Sequence, residues 1–171
     1  LAEENRSFFY PAADVSIILS DAISSLKESE WIDALKIRGG YSQVGQVNIG
    51  PYQLNSTFNQ GYGYPYASGG GFGLSNQLVS PDLQPEITTS VEAGFDLDLK
   101  KYSASIGTTL YKSNTVDQTI PVQISSASGF NNFLTNVGEV ENKGIESYFQ
   151  ATPIETSYGL SVMFRVTYTL N

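Results

Sequence analysis

The stretch Ile87-Thr88-Thr89-Ser90-Val91-Glu92-Ala93-Gly94-Phe95-Asp96-Leu97-Asp98-Leu99 alternates without a break. Successive side chains of a β-strand point to opposite faces. Ile87, Thr89, Val91, Ala93, Phe95, Leu97 and Leu99 therefore share one face, and Thr88, Ser90, Glu92, Gly94, Asp96 and Asp98 share the other. After only Lys100 and Lys101 the alternation resumes, with Tyr102, Ala104, Ile106, Thr108 and Leu110 opposing Ser103, Ser105, Gly107, Thr109 and Tyr111. Two such runs this close predict an antiparallel hairpin with a tight turn.

The same period continues outward in both directions. Upstream, Phe9, Pro11, Ala13, Val15, Ile17 and Leu19 form an apolar set, and Leu35, Ile37, Gly39 and Tyr41 oppose Lys36, Arg38, Gly40 and Ser42. Downstream, Ile145, Phe149 and Ala151 oppose Gly144, Glu146, Tyr148, Gln150 and Thr152. Finally Tyr158, Leu160, Val162, Phe164, Val166, Tyr168 and Leu170 oppose Gly159, Ser161, Met163, Arg165, Thr167 and Thr169. The expected strands are 8–20, 34–43, 87–99, 102–113, 144–152 and 158–170, with connections of alternating length. Residues 21–33, 100–101 and 153–157 are the shorter links, the first with Ile23, Leu26, Trp31 and Ile32 spaced for a short amphipathic helical turn; 44–85 and 114–136 are the long loops.

Length separates two kinds of half-apolar sheet. A strand of about 13 residues is roughly 43 Å long, and a tilt near 40° leaves roughly 33 Å of height, enough for the roughly 25 Å apolar band of a membrane barrel. Strands in soluble sheets are about half as long. The polar faces here are Ser, Thr, Gly and Gln rather than the Lys and Glu that disperse a soluble surface. The expected fold is all-β, an antiparallel transmembrane barrel of which this chain supplies about six strands. Short periplasmic turns and long extracellular loops then orient the sheet, with 44–85 and 114–136 outside the cell.

Composition narrows function. The chain has 171 residues, no Cys and no His, which removes disulfides, thiolate nucleophiles, imidazole or thiolate metal sites and any Ser/His/Asp triad. Charged residues are 15 % and the net charge is −8, a balance unsuited to nucleic acid, whose phosphates need clustered Lys and Arg. No window is long and apolar enough for a membrane helix, and residues 1–6 carry no signal-peptide pattern. With Thr169-Leu170-Asn171 at the other end in place of a terminal aromatic, the chain reads as an internal segment.

The 44–85 loop holds eight glycines and six aromatics. Tyr52, Tyr62, Tyr64, Tyr66 and Phe72 are candidates for ligand or partner contact, since aromatic rings stack on sugars and peptides while glycine permits close approach. A loop folding over a barrel mouth accounts for the same composition. The glycines show neither the dinucleotide nor the P-loop spacing. Asp96 and Asp98 share a face at a separation that glycosidase carboxylates also use, but the surrounding pattern makes them lumen wall, with Lys36 and Arg38 as their counter-charges across the lumen. Glu92, Asp96, Glu146, Tyr148, Gln150 and Arg165 are the expected lumen-lining set. No catalytic, cofactor or metal site is expected, and no enzyme activity.

Four stretches carry a family resemblance. Phe9-Tyr10-Pro11-Ala12-Ala13-Asp14-Val15-Ser16 and Leu35-Lys36-Ile37-Arg38-Gly39-Gly40-Tyr41-Ser42-Gln43-Val44-Gly45 resemble successive strands of the SusC/RagA family of TonB-dependent outer-membrane transporters. Pro81-Asp82-Leu83-Gln84-Pro85-Glu86 and Asn136-Val137-Gly138-Glu139-Val140-Glu141-Asn142-Lys143-Gly144-Ile145-Glu146 are similar to later strand starts, in the same order. The resemblance implies a barrel of about 22 strands, plugged by a separate domain that the TonB system opens. It also implies a SusD-like surface lipoprotein as partner, glycans or peptides as cargo, and the bacterial outer membrane as location. Two alternatives share the pattern: a SusC-like barrel serving as a structural subunit of an outer-membrane assembly or secretion complex, and a soluble carbohydrate-binding sheet.

Overall fold

The computed structural model describes residues 5, 7–55, 57–61 and 71–171. Its strands are β1 (Ala12–Ile18), β2 (Ile32–Gln46), β3 (Phe58–Gly61), β4 (Gly71–Leu74), β5 (Gln77–Val79), β6 (Glu86–Leu99), β7 (Ala104–Gln123), β8 (Asn132–Glu155) and β9 (Ser161–Leu170). One sheet has the order β1-β2-β6-β7-β8-β5, with β9 also on β8, and β3 and β4 form a separate hairpin. The sheet is antiparallel except where β5 lies parallel to Asn132–Leu134 of β8. Among the described residues β1 pairs only with β2 and β9 only with β8, so the sheet is open. No described helix is long and apolar enough to cross a membrane.

The chain divides into two compact units. The wall unit comprises Pro11–Gln43, Thr89–Asn114 and Glu141–Asn171. Its registers keep like faces together: Ala13, Val15 and Ile17 oppose Tyr41, Gly39 and Ile37, while Phe149 and Ala151 oppose Val166 and Phe164. Pro153 has no N–H for the ladder, and the register slips between Ala151 and Ile154. Beyond the slip Ile154 opposes Val162, so the apolar face continues. The link between β1 and β2 forms two single-turn helices, α1 (Leu19–Ala22) and α2 (Ser24–Lys27). They are fastened where the buried Ser20 hydroxyl accepts the Leu35 N–H at 3.3 Å.

Ala104 is the only buried hydrophobic side chain among the described residues of the wall unit. Val15, Val91, Leu110, Phe164 and Leu170 are each half exposed or more. A water-soluble sheet of this size would bury such a face against a second layer.

Several boundaries differ from those expected. The turn after β6 takes residues 100–103, a 3₁₀ turn over Lys101–Ser103 with Ser103 at φ 43°, rather than 100–101 alone. A two-residue hairpin turn needs residues that tolerate positive φ, and a Lys pair is a poor choice for it; the longer turn confines that conformation to Ser103. The 114–136 connection shrinks to residues 124–131, because β7 and β8 extend well past the apolar stretch. There Thr, Val, Ile and Gln keep strand propensity without apolar alternation, so the periodic signal fades while the ladder continues. The first and last strands start later than expected, at Ala12 and Ser161, and the first gives way to α1 at Leu19.

The loop unit comprises Leu1–Tyr10, Val44–Thr88 and Thr115–Val140. Leu83 is 1 % exposed and Leu134 is also buried. The 44–85 connection is not free coil: besides β3 and β4 it contains β5, extended by Ser80 N–H to Leu134 O at 2.9 Å.

Candidate functional site

The polar face of the wall unit carries one connected cluster. Arg38 on β2 donates from Nη2 to Thr109 Oγ1 at 2.7 Å, and its Nε lies 3.7 Å from Asp96 Oδ2 on β6. Tyr148 on β8 donates its hydroxyl to Asp96 Oδ1 at 3.3 Å, and Arg165 on β9 lies over the Tyr148 ring at 5.5 Å. A guanidinium on an aromatic face keeps its in-plane N–H groups for other partners. The cluster borders a hollow of about 210 Å³ lined also by Gly107, Glu146 and Thr167.

Glycine makes this arrangement possible. The Tyr148 ring lies across Gly107, where an added Cβ would collide with it. Four residues further along, the Tyr111 hydroxyl lies by Gly144, where an added Cβ would also meet the Leu170 carbonyl, and it bonds the Asn171 side chain. Both tyrosines use space left by a missing side chain on the next strand.

Of the expected lumen-lining residues, Asp96, Tyr148 and Arg165 meet in this cluster. Gln150 opposes Arg165, Glu146 opposes Thr169, and Glu92 lies beside Gly40 near Asp14 and Lys36. Arg38 reaches Asp96 from the adjoining strand, not from across a lumen. Further rungs on the same face are hydroxyl pairs and hydroxyl–carboxylate pairs, Ser90 to Ser113 at 3.1 Å and Ser105 to Asp98 at 2.6 Å. These bonds join neighbouring strands along the face, and Asp98 is tied to the Ser105 hydroxyl beside it. No described group of His, Cys, Asp and Glu could hold a metal ion.

The apolar face has polar features that alternation alone did not single out. Thr108 and Ser147 share a hydrogen bond at 3.1 Å, which satisfies two hydroxyls among apolar neighbours. Beyond Leu110 and Ile145 the face turns charged: Lys112 and Lys143 each lie 2.8 Å from a different oxygen of Glu141. At the other end Trp31 is 63 % exposed beneath Lys101, 5.6 Å away.

In the loop unit the Asn136 side chain clamps the returning loop. Its Oδ1 accepts the Gln84 N–H at 2.8 Å, and its Nδ2 donates to Gln84 O at 2.9 Å and to Asp117 O at 2.6 Å. Asp117 adopts φ 57°, and the nearby Thr119 N–H is received by the mostly buried Glu86 at 3.1 Å. The two motifs read as strand starts, around Leu83-Gln84 and Asn136, are thus halves of one fastening. Among the aromatic candidates, Tyr52 is 90 % and Phe72 71 % exposed. Phe72 shares a face of the β3–β4 hairpin with Phe58 and Leu74. Tyr62, Tyr64 and Tyr66 lie outside the described residues.

Comparison with known proteins matches residues 5–171 to the family described as TonB dependent receptor-like, beta-barrel. A TonB-dependent receptor of Formosa agariphila is 31 % identical over 98 % of this chain and 16 % of its own length. The TonB-dependent receptor SusC of Bacteroides thetaiotaomicron is 28 % identical over 99 % of this chain and 17 % of its own. The chain therefore spans about a sixth of these curated relatives. Among solved structures, the RagAB peptide importer in its closed-closed state superposes with a TM-score of 0.78 at 21 % identity, over 98 % of this chain and 18 % of that one, a likeness of fold.

Proposed function

Since the chain belongs to the TonB dependent receptor-like β-barrel family, we propose that it is a portion of the wall and outer loops of an outer-membrane transporter. The transporter imports glycans or peptides and works with a SusD-like surface lipoprotein. The apolar face meets lipid, and the face carrying Glu92, Asp96, Glu146, Tyr148, Gln150 and Arg165 lines the passage. Energy arrives from the TonB system through a plug domain elsewhere in the protein, and this segment performs no chemistry of its own. One observation carries the reading: the wall unit is apolar on one face and hydrogen-bonded on the other, and among its described apolar side chains most are exposed and only Ala104 is buried. In water that face would cost about 25 cal/mol for each Å² exposed, whereas in lipid it costs nothing. Of the aromatic candidates for ligand or partner contact, Tyr52 and Phe72 are uncovered enough to serve.

The test is spin labelling of the full-length receptor in bilayers. Labels at Val91, Phe95, Val162 and Val166 should be relaxed by oxygen more than by a polar reagent, and labels at Glu92 and Asp96 the reverse. The inverse pattern would mean a soluble or inside-out sheet.

A further inference from the structure

We infer that Lys112, Glu141 and Lys143 form a docking point for the phosphate of an outer-leaflet lipid headgroup, an inference that rests on the transporter-wall reading. Facing comes first. Thr109, Tyr111 and Ser113 of β7 make their contacts on the polar face, with Arg38, Asn171 and Ser90, so Lys112 points the other way, with Thr108 and Leu110. On β8, Gly144 lies under Tyr111, so Lys143 and Glu141 also share the apolar face with Ile145 and Ser147. One step along each strand toward the apolar stretch come Leu110 and Ile145, the latter paired with Leu170. Both leucines are 55 % exposed. The trio therefore sits on the rim of the apolar face, at the end away from the 100–103 turn, which on the transporter-wall reading is the outer end.

The chemistry follows from the donors left over. Glu141 receives one ammonium on each oxygen, which spaces Lys112 and Lys143 across a single carboxylate. An ammonium has three N–H groups, so each lysine keeps two for another acceptor. Their side chains are 59 % and 71 % exposed, and the three side chains together carry one net positive charge. Glu139, at the next position on this face of β8, adds a carboxylate beyond the trio.

What fits is an amphiphile with an anionic head level with the ammoniums and acyl chains along Leu110, Ile145 and Leu170. A free anion in water would gain only the lysines, and an uncharged lipid only the leucines. The phosphate of a lipid headgroup, carried on its own chains, supplies both.

The experiment uses the full-length receptor in mild detergent, with binding of bisphosphorylated lipid A followed by native mass spectrometry. Dephosphorylated lipid A and inorganic phosphate are the comparison ligands. Lys112→Gln and Lys143→Gln should each weaken lipid A binding about fivefold, and the pair about 25-fold, from the usual contribution of a lysine near an anionic surface. The dephosphorylated lipid should bind the native receptor as weakly as lipid A binds the double variant, and inorganic phosphate should not compete. Glu141→Gln should strengthen binding, a change of sign that a folding defect cannot mimic. Equal binding by native and double-variant receptor, indifference to the headgroup phosphates, or displacement by inorganic phosphate would each overturn the inference. If labels at Val91 and Phe95 remain lipid-protected in that receptor, only the headgroup assignment falls. If they face water, the wall reading falls with it.

Discussion

In the wall unit Ala13, Val15 and Ile17 meet Tyr41, Gly39 and Ile37 by strand register, and little besides Ala104 is buried. In the loop unit Leu83 and Leu134 are enclosed, Glu86 is mostly buried, and one side chain, Asn136, holds the Gln84 backbone from both sides. The first arrangement leaves its apolar groups for a solvent that welcomes them. The second fastens an irregular segment by individual side-chain hydrogen bonds, as a segment without a repeating ladder must be held. Substitutions should therefore act by facing in the wall unit and by bond count in the loop unit.

The largest effect should come from charge on the apolar face. Phe164→Arg should destabilise the folded receptor in bilayers by roughly 2–4 kcal/mol if it lies near the midplane, measured by denaturant titration. Met163→Arg, on the opposite face, should cost far less. Equal damage would erase the distinction between the two faces.

Asn136→Ala should remove several bonds at once and cost about 1–3 kcal/mol, all of it local. Hydrogen exchange should accelerate at Gln84 and in residues 77–86 while the wall-unit amides stay protected. Exchange spreading evenly through both units would mean that they are not separately held.

A smaller change, Tyr148→Phe, deletes only the bond to Asp96 and should cost about 0.5–1.5 kcal/mol, because the ring still covers Gly107. Gly107→Ala should cost more, since ring and methyl compete for one space. The reverse order would show that the hydrogen bond, not the packing, joins these strands.

The wall was legible because a half-lipid, half-water sheet writes its facing into every second residue. Asp96, Tyr148 and Arg165 could be placed on one face in this way, but parity says nothing of contacts along a rung. That Arg38 joins Asp96, and that Gly107 makes room for Tyr148, depends on strand order and on the space a missing side chain leaves. The sequence also hid the loop fastening, since Asn136 acts through backbone groups of residues far away in the chain and the parallel seating of β5 has no periodic mark. The extensions of β7 and β8 escaped for a third reason. Outside a membrane-facing band a strand has no need to alternate.

β2 and β6 are neighbours in the sheet although everything from Val47 to Pro85 lies between them. Closing a connection that long carries a large entropy cost, but lengthening it further adds little, only about 0.6 kcal/mol for each doubling. With its returning end pinned at Gln84, the stretch before β5 can gain or lose residues at almost no thermodynamic cost to the wall. Length and sequence can therefore change there without disturbing the registers that hold the wall.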